Sequence, residues 1–183
     1  SQDDREGTGV CLILVTPDGE RTMNTYLGAS RFYSDHDVPV EHVQDSKIFH
    51  FCGYQWDTDN QKSAIRRAIS LASTSKTLVS FDVADPGVVE AYRSDFLKLI
   101  ESSADIVFAN REEAALLFNT DPEKAAQSIA ASGALAVVKL GADGALIQRG
   151  DKEIRVPAEP VKVVDTTAAG DMFAGGVLFG ILE

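Results

Sequence analysis

From about residue 46 the chain alternates short β-branched or aromatic runs, KIFHFC, TLVSFDV, ADIVFA and LAVVKL, with stretches whose apolar residues recur at helical spacing. No other feature narrows the fold so far. Strands of that length separated by helices pair in parallel, because a crossover must return the chain to the starting edge before the next strand begins. Ile65, Ala68, Ile69 and Ala72 fall on one helical face, and Val89, Tyr92, Phe96 and Ile100 on another. Each such helix has a stripe to bury. The pattern predicts an α/β layered domain, a mostly parallel sheet flanked by helices.

Two stretches depart from this alternation. Residues 9 to 27 read as a hairpin: GVCLILV, the turn Thr16-Pro17-Asp18-Gly19, then ERTMNTYL. ALIQRG and EIRVP read as a second, shorter one. The acidic stretch from Asp35 to Asp45 reads as a solvated loop or a frayed helix. In open sheets of this kind ligands bind beyond the carboxyl ends of the strands, which selects the loops starting near Gly53, Ala84, Asn110 and Gly141.

Charge removes several partners. With 17 basic and 28 acidic residues the formal charge is −11, which repels phosphate backbones and anionic lipid, so nucleic acid and membrane surfaces are not expected partners. No run approaches the roughly 20 apolar residues of a membrane span. The start, SQDDREGTG, lacks the basic and apolar segments of a secretory signal. Cys11 and Cys52 both lie in apolar, strand-like runs, which suits reduced core thiols and a cytoplasmic location.

Chemistry concentrates in three places. Asp165-Thr166-Thr167-Ala168-Ala169-Gly170-Asp171 leads directly into the apolar MFAGGVLFGIL. Small residues from 167 to 170 let the chain turn tightly and aim consecutive N–H groups at one spot, where the following helix also leaves its first donors unpaired. Such donors suit a transferring phosphoryl group, and Asp171 beside them can accept a hydroxyl proton. A plainly capped helix would carry the same residues. Second, Asn110-Arg111-Glu112-Glu113 follows ADIVFA. Asn110 and Glu113 share one side of a first helical turn and can serve a phosphate oxygen and, through water, Mg2+. An Asn N-cap with Glu at the third position explains them as well. Third, Lys139-Leu140-Gly141-Ala142-Asp143-Gly144 allows close approach of a flat ligand, or simply a hairpin turn.

Other signatures are missing. There is no GxxxxGK[ST], no GxGxxG opening a helix after a strand and no GxSxG elbow. His36, His42 and His50 have neither metal-site spacing nor a nucleophile partner, and read as loop or strand residues with satisfied hydrogen bonds. Tyr54 and Trp56, in the loop after KIFHFC, are candidates to touch an acceptor, or to pack under a lid.

NREE, KLGADGA and DTTAAGDMFAGG, in that order and spacing, resemble the ribokinase-like (PfkB) family of carbohydrate and nucleoside kinases. GTGVCLILVTPDGERTMNTYLGAS is similar to the family's middle hairpin, most of all in bacterial adenosine-kinase-like and sugar-kinase members. The resemblance implies a partial ribokinase-like kinase domain over 1–183: a hairpin lid at about 9–30 and an α/β core over 46–183, without the family's opening and closing segments. It implies an ATP- and Mg2+-dependent transfer of the γ-phosphate to a primary hydroxyl, adenosine first and a sugar or sugar acid second. A binding module that kept the fold without catalysis is the rival. On this resemblance Asp171 is the base and Ala168, Ala169 and Gly170 line the anion hole. Asn110, Glu113, Lys139, Gly141 and Gly144 serve the nucleotide, Glu113 reaching Mg2+ through water. Asp165 and Thr167 match positions that hold a monovalent cation such as potassium in some members. The hairpin's place in relatives also implies a homodimer.

Overall fold

The computed structural model describes residues 3–16, 21–162 and 166–183. Six strands follow one another across the main sheet in chain order: β3 (Ile48–Cys52), β4 (Leu78–Asp82), β5 (Ile106–Asn110), β6 (Leu135–Lys139), β7 (Ala145–Arg149) and β8 (Lys152–Val156). The first four are parallel and the last two antiparallel. The alternation in the sequence fits that division, since LAVVKL and ALIQRG, and ALIQRG and EIRVP, are joined by turns too short for a crossover.

Helices α2 (Asp59–Ser73), α3 (Pro86–Ser102), α4 (Arg111–Phe118) and α5 (Pro122–Ala131) start where the sequence supplies caps. Thr58 caps α2, Asp85 caps α3 ahead of Pro86, and Asp121 caps α5 ahead of Pro122, each side chain accepting from a first-turn N–H. Their apolar stripes cover one face of the sheet. There Phe51 stacks on Phe81 at 4.9 Å, and Phe81 meets Phe96 of α3 edge-on at 5.0 Å. Burying each such side chain stabilises the fold by about 1.5–3 kcal/mol. α6 (Ala169–Leu182) covers the other face, where Ala174 packs with Ile106, Phe108 and Val137.

The acidic stretch from Asp35 is more ordered than a solvated loop. A 3-10 turn at Asp35–Asp37 leads to α1 (Val40–Asp45), and Val38 and Val43 are buried against Ala64, Ala68 and Leu71 of α2. Two valines among the acids are enough to dock it.

The two strands of the first hairpin formed where the sequence placed them: β1 (Thr8–Val15) pairs antiparallel with β2 (Arg21–Gly28) as a separate two-stranded sheet, while the expected turn at 17–19 lies outside the described residues. All eight residues of β1 are exposed, Leu12 and Leu14 at 66% and 70%. This corrects the expectation for Cys11. Its thiol is exposed, 3.2 Å from Thr25 Oγ1, because no layer covers either face of the hairpin among the described residues. Cys52 is half-buried at the end of β3.

Candidate active site

Side chains alternate along a strand, so register decides which residues meet. Cys52 pairs with Asp82, Asp82 with Phe108, and Asn110 with Lys139, all on the α6 face. Cys52, Asp82, Asn110 and Lys139 are also the last residues of β3 to β6. The polar side chains of this face therefore gather at the carboxyl ends, where α/β sheets bind ligands.

At the centre of that row Lys139 Nζ donates to Asp82 Oδ2 at 2.9 Å, with side chains only 19% and 11% exposed. Asp82 Oδ1 accepts from the Ala84 N–H at 3.0 Å. A Cβ built on Gly170 would lie 3.5 Å from the same Lys139 Nζ. The first turn of α6 thus reaches the strand ends at the half-buried ammonium of Lys139. Sequence reasoning singled out Lys139 and Gly170 but passed over Asp82. Its signal was a carboxylate closing the apolar run TLVSF, with the strand-end rule already selecting the loop at Ala84.

Among the described residues α6 begins without a side-chain cap. Ala168 occupies the N-cap with φ 58 and ψ 15, the left-handed region, which costs a non-glycine residue about 1–2 kcal/mol. The Ala169 N–H is used by the turn, donating to Thr166 O at 3.2 Å, so this member of the expected anion hole is already engaged. The first helical bond runs from Met172 N to Ala168 O at 2.9 Å, leaving the N–H groups of Gly170 and Asp171 ahead of the ladder. The Asp171 side chain is exposed in the first turn of α6, the turn that meets Lys139 at Gly170. Arg21, from β2, reaches this loop and donates to Thr166 Oγ1 at 3.0 Å and to the Thr167 hydroxyl. Nothing in the sequence pattern singled it out. Asp165, expected to join Thr167 around a monovalent cation, lies outside the described residues.

At α4 the structure contains the capping arrangement. Asn110 Oδ1 accepts from Glu113 N at 2.9 Å, while both carboxylate oxygens of Glu113 accept from Asn110, through its backbone N–H and its Nδ2, each at 2.6 Å. Glu113 is 2% exposed. Burial pushes its pKa above the ordinary carboxylate value, opposed by the Asn110 N–H and by the Lys139 charge.

In the 141–144 turn the two glycines do different work. Gly141 has φ 64 and open space where a Cβ would stand. Gly144 has φ 89, and its Cβ would fall 1.9 Å from Val156 O, so the close approach there is to the chain's own β8 rather than to a ligand. Arg111 closes the turn by donating to Asp143 Oδ2 at 2.6 Å.

The aromatic pair after β3 separates. Trp56 is 2% exposed and donates from Nε1 to Asp95 Oδ2 at 3.0 Å, so it is core and does not face a ligand. An indole buries too much area to leave wet when an acceptor for its N–H is at hand. Tyr54 is exposed. His50 Nδ1 lies 2.9 Å from Ser80 Oγ, the satisfied strand histidine expected, and burial lowers its pKa. No group of three or more His, Cys, Asp or Glu side chains among the described residues is arranged as a metal cage, and no described helix is long and apolar enough to cross a membrane.

Comparison with known proteins fits this geometry. The sequence model for pfkB family carbohydrate kinase matches residues 1–183. The crystal structure of adenosine kinase from Sinorhizobium meliloti is 44% identical and superposes with a TM-score of 0.90, over 95% of this chain and 54% of that one. An uncharacterized sugar kinase from Archaeoglobus fulgidus is 30% identical, over 96% of this chain and 69% of its own length. A putative ribokinase II from E. coli, solved in complex with ATP and Mg2+, is 25% identical with a TM-score of 0.82, over 93% of this chain and 56% of that one. The chain belongs to the pfkB family of carbohydrate kinases and has its α/β ribokinase-like fold. It spans about half the length of both solved structures.

Proposed function

We propose that the chain carries the phosphoryl-transfer site of an ATP-dependent kinase acting on a primary hydroxyl of a nucleoside, with adenosine as the first acceptor. The observation that carries this is the meeting of a helix start that lacks a side-chain cap with a half-buried ammonium at the carboxyl ends of parallel strands, Lys139 standing 3.5 Å from the Cβ position of Gly170. In the transfer, the acceptor oxygen bonds to the γ-phosphorus as the bond to the bridging β,γ-oxygen breaks. The hydroxyl proton passes to the Asp171 carboxylate and ADP departs. The N–H groups of Gly170 and Asp171 and the Lys139 ammonium face the charge that builds on the equatorial oxygens. Donors fixed in advance at such a point contribute about 3–4 kcal/mol each.

Magnesium fits this arrangement as a companion of the nucleotide. Mg2+ favours substrate phosphates and water with one or two carboxylates over an all-protein cage. Glu113, with both oxygens already bonded to Asn110, suits a contact through water and otherwise holds Asn110 in place. When bound, the ion neutralises phosphate charge. The Thr167 hydroxyl oxygen accepts from Arg21, and the transfer takes no step through a monovalent cation there. Gly141 and Lys139 stay on the nucleotide side, and the hairpin is read as the lid.

Adenosine leads because of the 44% identity to the Sinorhizobium meliloti protein; the Archaeoglobus fulgidus relative supports a sugar or sugar acid as the second reading. The test is ADP release by the full-length gene product with adenosine, ribose, fructose and 2-keto-3-deoxygluconate, repeated with Asp171→Asn. Turnover best on adenosine and abolished by the substitution is expected. Equal turnover of the two proteins removes Asp171 as the base.

A further inference from the structure

We infer that Asp82 is a positioning residue for phosphoryl transfer, holding the Lys139 ammonium against the first turn of α6; the inference rests on the kinase reading above. Asp82 and Lys139 stand on β4 and β6 with β5 between them, so the contact spans two strand spacings and is set by sheet register, not by chain proximity. A lysine has a long flexible stem, and left to itself its ammonium would sample many positions. Asp82 removes that freedom. Its own carboxylate is fixed twice, by the Ala84 N–H on Oδ1 and by Lys139 on Oδ2.

The surroundings make the pair more than a buried bridge. A buried ion pair is weak evidence for stability, because desolvating both charges offsets most of their attraction. Here the ammonium lies beside the N–H groups that α6 leaves open and within the electrostatic reach of Glu113 and His50. Asp82 and Asp171 also act together on His50 and Cys52. Lys139 is thus the positive group in a neighbourhood of carboxylates. Without an anchor it would swing toward whichever of them came nearest. Anchored by Asp82, it is already in place when a phosphate arrives, and the site pays no reorganisation during transfer.

This separates the responses of two kinetic constants. Asp82→Asn keeps an acceptor for the Ala84 N–H but loses the charge that orders Lys139, so kcat falls about tenfold. ATP is not bound more weakly, because a negative charge beside its phosphates has gone, and KM for ATP stays level or drops. Lys139→Met lowers kcat and raises KM for ATP together. On the Lys139→Met background Asp82→Asn costs nothing further, the non-additivity expected of a residue acting through its partner. Wild-type kcat in Asp82→Asn, or the same fold loss on both backgrounds, overturns the assignment. If Asp82→Asn alone fails to fold, the double variant, which leaves no unpaired charge, is compared with Lys139→Met: equal kcat supports the role and lower kcat sinks it.

A second readout needs no turnover. Acylation of Lys139 by a succinimidyl ester, followed by mass spectrometry, is expected to run several-fold faster in Asp82→Asn, since Nζ, no longer held on Asp82 Oδ2, moves freely to the reagent. Unchanged reactivity overturns the pairing. A faster rate in a protein that phosphorylates no acceptor keeps the pairing and removes only the kinase reading.

Discussion

Two helices start at the same edge of the sheet, and they treat their first N–H groups in opposite ways. α4 is closed: Asn110 and Glu113 satisfy one another through three bonds, and Glu113 is buried. α6 is open, with a left-handed alanine where a capping side chain would stand. A closed start contributes stability and has little left to offer an anion. An open one gives up about 1 kcal/mol of capping, accepts backbone strain at Ala168, and keeps donors for a ligand. The difference separates two motifs that look alike in the sequence, both being a polar residue and an acid at a helix start.

The sharpest test of that contrast is Asp171→Asn, expected to cost a factor of about 10²–10⁴ in kcat with the unfolding midpoint unchanged. Next comes closing α6 artificially. Ala168→Asp places a carboxylate over the open donors, and kcat is expected to fall by about 10² while thermal unfolding shows no loss of stability. A variant that stays active would show that the first turn of α6 does not meet phosphate. The matching change at α4, Glu113→Ala, is expected to act on stability, by about 1–2 kcal/mol in urea unfolding. A much larger kinetic than thermodynamic effect there would make α4 as functional as α6.

The smallest effect concerns pH. Burial lowers the His50 pKa in the fold, so the unfolded chain takes up a proton first as pH drops. The His50 contribution is fully present above its ordinary value of 6.5 and is lost progressively below it, down through the lower folded value. Unfolding midpoints measured from pH 7.5 to 5 are expected to decline less steeply in His50→Asn than in the wild type.

Much of this was legible without coordinates. The alternation of strand and helix patterns predicted the parallel sheet, and the Asn110/Glu113 pairing was readable as a capping box. Where reading failed, the cause was long-range. The apolar run of β1 suggested that Cys11 was buried, but burial needs a second layer, and the hairpin has none among the described residues. Trp56 and Tyr54 look equally placed in sequence, yet Trp56 is buried, with its N–H on Asp95, thirty-nine positions on, and Tyr54 is exposed. Arg21 and Asp82 stood in unremarkable patterns until the fold brought them to Thr166 and Lys139.

The sequence by itself determined what depends on neighbours along the chain: strand and helix periodicity, caps, turns, and the small-residue bend ahead of Asp171. Backbone hydrogen bonding and local sterics act over four or five residues, so their code is local. Tertiary structure alone decided which helix start stays open to a ligand, which face each strand end presents, and that the lysine of β6 meets the carboxylate of β4. Those outcomes follow from sheet register and layer packing, which sum weak contacts across the whole domain and leave no mark at any single position.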